Sequence, residues 1–148
     1  YPKGIPQNLV PFLTQTAIGK RPLLKVFGSN YNTPDGTCIR DYIHVMDLAQ
    51  AHIDSIYYLI SSSQKLTCEI FNVGTGQGAS VLEVIKAFEN TTSKLVPYKL
   101  SDPRKGDTVA AYADVKKINN QMGWKAKCSL NEALQSAWNW EKELDKKS

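Results

Sequence analysis

Apolar positions along the chain switch between a helical and a strand period, and each switch falls at turn residues. Leu9, Phe12, Leu13, Thr16 and Ala17 recur every three to four positions, predicting a helix over residues 6–18 closed by Gly19. Pro6 suits a helix start, whereas Pro11 lies far enough in to make the beginning late or irregular. Residues 23–27 read as a short strand, residues 28–36 as a turn-rich loop carrying Pro34-Asp35-Gly36, and residues 39–45 as a second strand. An amphipathic helix follows over 47–59, with Leu48, Ala51, His52, Ser55, Ile56 and Leu59 on one side. After a loop at 61–65, residues 69–73 form a mostly apolar strand.

Two capping boxes are the cleanest local signals. Ser80-Val81-Leu82-Glu83 opens a helix with Val81, Val84, Ile85 and Phe88 as its apolar stripe. Ser129-Leu130-Asn131-Glu132 opens the last one, with Leu130, Ala133, Leu134, Ala137, Trp138 and Glu141 following. Between them lie a strand at 96–100, a polar loop at 101–108 and a short helix at 114–122 stopped by Gly123. Strands and helices alternate, so the expected class is α/β with a partly parallel sheet.

Composition narrows the function classes. The 148 residues are 42% hydrophobic and 22% charged, enough for one domain with a core and too apolar for disorder. No apolar stretch approaches the roughly 20 residues of a bilayer crossing, so no membrane partner is expected. Cys38, Cys68 and Cys128 are odd in number and dispersed, which fits reduced thiols in a cytoplasmic protein and offers no metal-type spacing. The net charge of +4 comes from scattered lysines rather than a basic stripe interleaved with aromatics, which argues against nucleic acid. The first residue is Tyr1, and Met46 and Met122 are the only methionines; the chain reads as a piece of something longer.

Few stretches carry candidate chemistry. Gly74-Thr75-Gly76-Gln77-Gly78 stands between a strand and a capped helix, but its spacing is not the dinucleotide fingerprint, and no acidic residue follows at the ribose distance. A tight turn beside a ligand is the expected role. Arg21, Arg40 and Arg104 are the only arginines against fifteen lysines, so Arg40-Asp41-Tyr42 and Arg104-Lys105-Gly106-Asp107 mark places where a planar fork matters. Either arginine serves an anionic ligand or a structural pair with a neighbouring carboxylate. His44 and His52 are expected to be hydrogen-bonded helix or core residues, and Asn8 to be a binding residue or simply a cap. Tyr112 and Lys116 match a Tyr-x-x-x-Lys pair, but seven tyrosines and fifteen lysines give about 0.7 such matches by chance. Asp114 caps the following helix and leaves Tyr112 outside it, so this pair is not catalytic.

Several stretches together resemble the C-terminal portion of the UDP-glucose 4-epimerases, members of the extended short-chain dehydrogenase/reductase group. These are Gly4-Ile5-Pro6-Gln7-Asn8-Leu9-Val10-Pro11, Val26-Phe27-Gly28-Ser29-Asn30-Tyr31, and Asp35-Gly36-Thr37 leading into Ile39-Arg40-Asp41-Tyr42-Ile43-His44-Val45. Phe71-Asn72-Val73-Gly74-Thr75-Gly76, Ser80-Val81 and Arg104-Lys105-Gly106-Asp107 continue the match over nearly the whole chain. The Arg-Asp-Tyr-Ile-His-Val run is shared with related nucleotide-sugar enzymes. The Asp-Gly-Thr run and the Ile-Pro-x-Asn-Leu start are more particular to the epimerases.

The resemblance implies that residues 1–148 are a UDP-sugar-binding portion, with a strand and helices that complete a doubly wound Rossmann sheet otherwise absent. NAD binding and the catalytic Tyr-x-x-x-Lys then lie upstream, leaving no catalytic residue here and a fragment inactive alone. By motif position Asn8 and Leu9 contact the diphosphate region, and Lys25, Val26 and Phe27 meet the uridine. Arg40 and Arg104 clamp phosphate oxygens, Tyr42 lines the phosphate end, Val81 packs near uracil and ribose, and Asp107 holds a ribose hydroxyl. A small residue at Ala111 implies a sugar pocket that admits UDP-N-acetylhexosamines beside UDP-glucose and UDP-galactose. The family's chemistry passes through a 4-keto sugar that must turn over, which calls for a firm grip on UDP and a loose one on the hexose. A homodimeric parent is expected. The alternatives are a part of another extended nucleotide-sugar reductase or dehydratase, or a non-catalytic UDP-sugar-binding module.

Overall fold

The computed structural model describes residues 8–61 and 68–146. The predicted Ile-Pro-x start and most of the loop at 61–65 lie outside them. Five helices and five short strands follow one another: α1 (Leu9–Ala17), β1 (Leu24–Phe27), β2 (Ile39–Arg40), α2 (Val45–Ser61), β3 (Ala79–Ser80), α3 (Val81–Thr92), β4 (Tyr98–Ser101), β5 (Ala110–Ala111), α4 (Lys116–Met122) and α5 (Leu130–Asp145). β1 pairs with β4 in parallel, while β2 sits between β3, antiparallel, and β5, parallel. The class is α/β with mixed pairing, as the alternation predicts.

The main core lies where α1, α3 and α5 meet β1. Leu13, Leu24, Val26, Val84, Ile85, Phe88, Leu134 and Trp138 are all buried there, with Phe88 and Trp138 edge to face at 5.8 Å. Glu141 is buried beside them and accepts hydrogen bonds from Thr14 Oγ1 at 3.2 Å and Lys20 Nζ at 3.0 Å, tying α5 to α1. A smaller cluster of Ala51, Ile118 and Trp124 joins α2 to α4.

Several expectations hold in detail. Pro11 falls in the first turn of α1, where a missing N–H leaves no hydrogen bond unmade, so the helix starts late, at Leu9. Both serines cap with complete boxes, and Gly123 ends α4 in the left-handed conformation. His44 Nδ1 accepts from Met46 N at 3.0 Å at the head of α2, and His52 bonds Leu48 O, so both histidines are hydrogen-bonded helix residues.

Others do not. The strand expected at 39–45 stops at Arg40, because the Asp41 carboxylate turns inward to bond backbone from two other segments and α2 begins at Val45. Residues 69–73 form no ladder with any of the described residues: Phe71 and Val73 pack on the smaller core. The strand meant to complete a larger sheet is therefore an unpaired segment, and Ile70 is 77% exposed. On the apolar side of α2, Ala51 is buried while Leu48, Ile56 and Leu59 are exposed.

Candidate functional site

A cavity of about 1360 Å³ opens between β1, the N-terminus of α1, the end of β2, the first turn of α3 and the 101–108 loop. Its walls follow from local structure. Along β1 the two-residue period buries Leu24 and Val26 in the core and turns Lys25 and Phe27 to the other face. Val81, the first residue of α3, is half-buried at the cavity wall while Val84, Ile85 and Phe88 further along face the core.

Every residue assigned to UDP by the resemblance lines this one cavity. Asn8 and Leu9 come from α1, and Lys25, Val26 and Phe27 from β1. Arg40 and Tyr42 come from the end of β2 and beyond it, Val81 from α3, and Arg104 and Asp107 from the polar loop. The two arginines are thus 64 positions apart in sequence and share a cleft. Ala111 does not line it. It is exposed on β5, in register beside Arg40.

The two arginine alternatives resolve differently. Arg40 forms no pair with Asp41; its Nη1 donates to Ile39 O at 2.7 Å. Arg104 is held as a fork by Asp107, with Nε to Oδ2 and Nη2 to Oδ1 both 3.1 Å, and lies 4.8 Å from the Phe27 ring centre. That side chain is 55% exposed, so the pair is worth little in stability and readily exchanged for a stronger anion. Tyr42 is pushed up to about 12 by burial, so its phenol is a neutral hydroxyl throughout the physiological range. Asn8 stands at the N-cap of α1 with extended backbone, yet its side chain makes no cap bond.

The glycine loop does not face a ligand with its donors. Thr75 N, Thr75 Oγ1, Gly76 N and Ala113 N all donate to the Asp41 carboxylate, at 3.0, 2.6, 3.1 and 3.2 Å. A Cβ on Gly74 would stand 2.4 Å from Asp41 Oδ2, which is why a glycine is required there. An internal carboxylate occupies the place a phosphate would take, so these residues do not fit a dinucleotide pyrophosphate. Tyr112 precedes α4, with Asp114 Oδ1 accepting from Lys116 N, so the Tyr-x-x-x-Lys pair does not share a helix face.

Sequence reasoning missed the cavity's second flank, where Leu130, Ala133, Ala137 and Trp140 of α5 face Phe12 and Arg21. The helical stripe of α5 was visible, but which part of it borders a cavity depends on where α1 packs. Cys38 is another missed wall residue, buried and reduced. Among the described residues no group of histidine, cysteine or acidic side chains could hold a metal, and no helix is long and apolar enough to cross a membrane.

The fold and this cavity place the chain in a known class: it belongs to the family described as GDP-mannose 4,6 dehydratase, whose model matches residues 2–137. Within that class the proteins similar to it include UDP-glucose 4-epimerases. The bifunctional UDP-glucose 4-epimerase and UDP-xylose 4-epimerase 3 of Arabidopsis thaliana is 49% identical over 139 residues, 94% of this chain and 39% of that protein. The crystal structure of UDP-glucose-4-epimerase from Stenotrophomonas maltophila, with bound NAD and formylated UDP-arabinopyranose, superposes with a TM-score of 0.94 at 40% identity, over 100% of this chain and 43% of that one. That of UDP-glucose 4-epimerase from Bifidobacterium longum, in complex with NAD+ and UDP, gives 0.88 at 43% identity, over 96% and 41%. The chain therefore spans about two fifths of the length of these relatives.

Proposed function

We propose that this chain is the UDP-sugar-binding portion of an NAD-dependent UDP-glucose/UDP-galactose 4-epimerase and holds the UDP half of the substrate. The observation that carries the reading is the convergence of Arg40, Arg104, Tyr42 and Asp107 with Lys25, Phe27 and Val81 on one cavity. Arg40 and Arg104 clamp the diphosphate, and each charge-assisted contact contributes roughly 1.5–3 kcal/mol. When a phosphate takes Arg104 from Asp107, the released carboxylate is left beside it to accept a ribose hydroxyl. Phe27 and Val81 supply the apolar surface for the uracil, with Lys25 and Val26 along the uridine, and Asn8 and Leu9 border the diphosphate. A firm grip on the nucleotide with none on the hexose lets a 4-keto sugar turn over between the two hydride transfers that NAD would mediate.

NAD is the cofactor of the longer protein in this reading. Its support is the relatives crystallised with it. UDP-glucose and UDP-galactose are the substrates. The small Ala111 beside Arg40 extends them to UDP-N-acetylhexosamines, and Ala111→Tyr in the full-length enzyme is expected to abolish turnover of the N-acetyl sugar selectively. The parent is a cytoplasmic homodimer, a reading that the three free cysteines support for the compartment.

Titration calorimetry tests the central claim. UDP is expected to bind this chain and NAD not to, and the chain alone is expected to show no epimerase turnover. Arg40→Ala is expected to weaken UDP about 10- to 100-fold and to leave uridine unchanged. Heat from NAD with none from UDP sinks the reading.

A further inference from the structure

The Asp35-Gly36-Thr37 run touches no part of the cavity surface, yet it ends in the network that fixes one wall. Asp35 Oδ1 accepts from Thr37 N at 2.9 Å and from Thr37 Oγ1 at 2.7 Å, and Oδ2 accepts from Ser80 Oγ. With both hydroxyl protons directed at one carboxylate, both oxygens have their lone pairs turned to the head of α3. Thr37 Oγ1 accepts from Val81 N at 3.1 Å and Leu82 N at 3.4 Å, and Ser80 Oγ accepts from Glu83 N at 3.1 Å. Ser80 N donates to Glu83 Oε2, and Val81 N also reaches Cys38 O at 3.2 Å.

The first N–H groups of α3, which a helix leaves without internal partners, are thus all satisfied, two of them by a threonine 44 and 45 positions away. Thr37 and Ser80 are fully buried. Gly36 makes the turn possible: its φ is +79°, and a Cβ there would stand 2.2 Å from Ser29 O. The joint holds Cys38 against Val81, which is the nucleoside wall. Arg40 is placed by pairing with Ala111 on one side and with Ala79 on the other, and by the Asp41 knot next to it. Because the donors of α3 are taken internally, its N-terminus offers an anion no free N–H, and the direct phosphate contacts fall to the arginines.

We propose that Asp35 and Thr37 are positioning residues of the nucleotide cavity, setting the Cys38–Val81 wall against which the nucleoside packs. The inference rests on the reading of this cavity as a UDP site. It assigns the Asp-Gly-Thr run a role in nucleoside affinity without contact to the ligand.

The experiment measures Kd for UDP and for uridine on the chain and on Thr37→Val, Thr37→Ser, Asp35→Asn and Arg40→Ala. Thr37→Val keeps the shape and removes the acceptor, and is expected to weaken UDP and uridine by the same factor, about tenfold. Thr37→Ser restores the hydroxyl and is expected to stay within about twofold of the parent. Asp35→Asn, which cannot accept from both hydroxyls in the same way, is expected to fall between them and serves if Thr37→Val does not fold. Arg40→Ala loses UDP alone. Folded Thr37→Val with unchanged UDP and uridine affinity overturns the inference and leaves the UDP site standing, as does a serine variant as impaired as the valine. A parent chain that binds neither ligand overturns the UDP reading and this inference with it.

Discussion

Asp47 is 6% exposed at the first turn of α2, where Lys127 N and Cys128 N donate to its Oδ2 at 3.1 and 2.9 Å. Burial would raise its pKa, but these bonds outweigh it and hold the carboxyl below its ordinary value of 3.8. The unfolded chain then binds a proton more readily than the folded one, so the stabilisation is complete above that value and is lost as pH falls beneath it. Acid titration of stability is expected to steepen below about pH 3.8, and Asp47→Asn to flatten that limb. Asp41 likewise gathers donors, here from the glycine loop. Gly74→Ala drives a methyl into its carboxylate and the Ala113 side chain, and is expected to lower the urea midpoint by the equivalent of about 2 kcal/mol or more. Neither carboxylate role was legible in the chain. Asp41 sits next to Arg40, which invited a pair between them, whereas its partners are three backbone N–H groups and the Thr75 hydroxyl, all more than thirty positions on.

Helix starts are local, and there the pattern of residues sufficed: Ser80 with Glu83 and Ser129 with Glu132 cap α3 and α5 as the spacing requires. Their surroundings separate them. Ser129 is exposed, while Ser80 is buried and also bonds Asp35. Ser129→Ala is expected to cost about 1 kcal/mol, and Ser80→Ala about 2 kcal/mol or more because Asp35 loses a partner as well, differences that chemical denaturation resolves. Short strands were read less well. β1 and β4 were found within a residue or two, but β3 and β5 have two residues each and no period to detect. They exist because β2 offers both edges at the mouth of the cavity.

At the scale of the molecule, one helix face is left over. Ile53, Ile56, Tyr57 and Ile60 fall at helical spacing on α2, and all are exposed, Ile60 by 76%. With the unpaired segment at 69–73 nearby in sequence, this surface favours association of the isolated chain. Sedimentation is expected to show concentration-dependent oligomers, and Ile56→Lys combined with Ile60→Lys to shift them toward monomer. A wild-type chain that stays monomeric with a sharp thermal transition counts against this.

Class and helix starts came from order along the chain, since caps and periods depend on neighbours within about a turn, while ten of the cavity residues, and the sharing of one site by Arg40 and Arg104, came from the family resemblance. The detailed contacts did not. That Arg104 rests on Asp107 and Phe27, and that Thr37 and Asp41 gather distant N–H donors, follow from how α1, α3 and α5 close over β1. Contacts of this kind link positions tens of residues apart, and packing decides them because buried polar groups must find partners wherever the fold brings them.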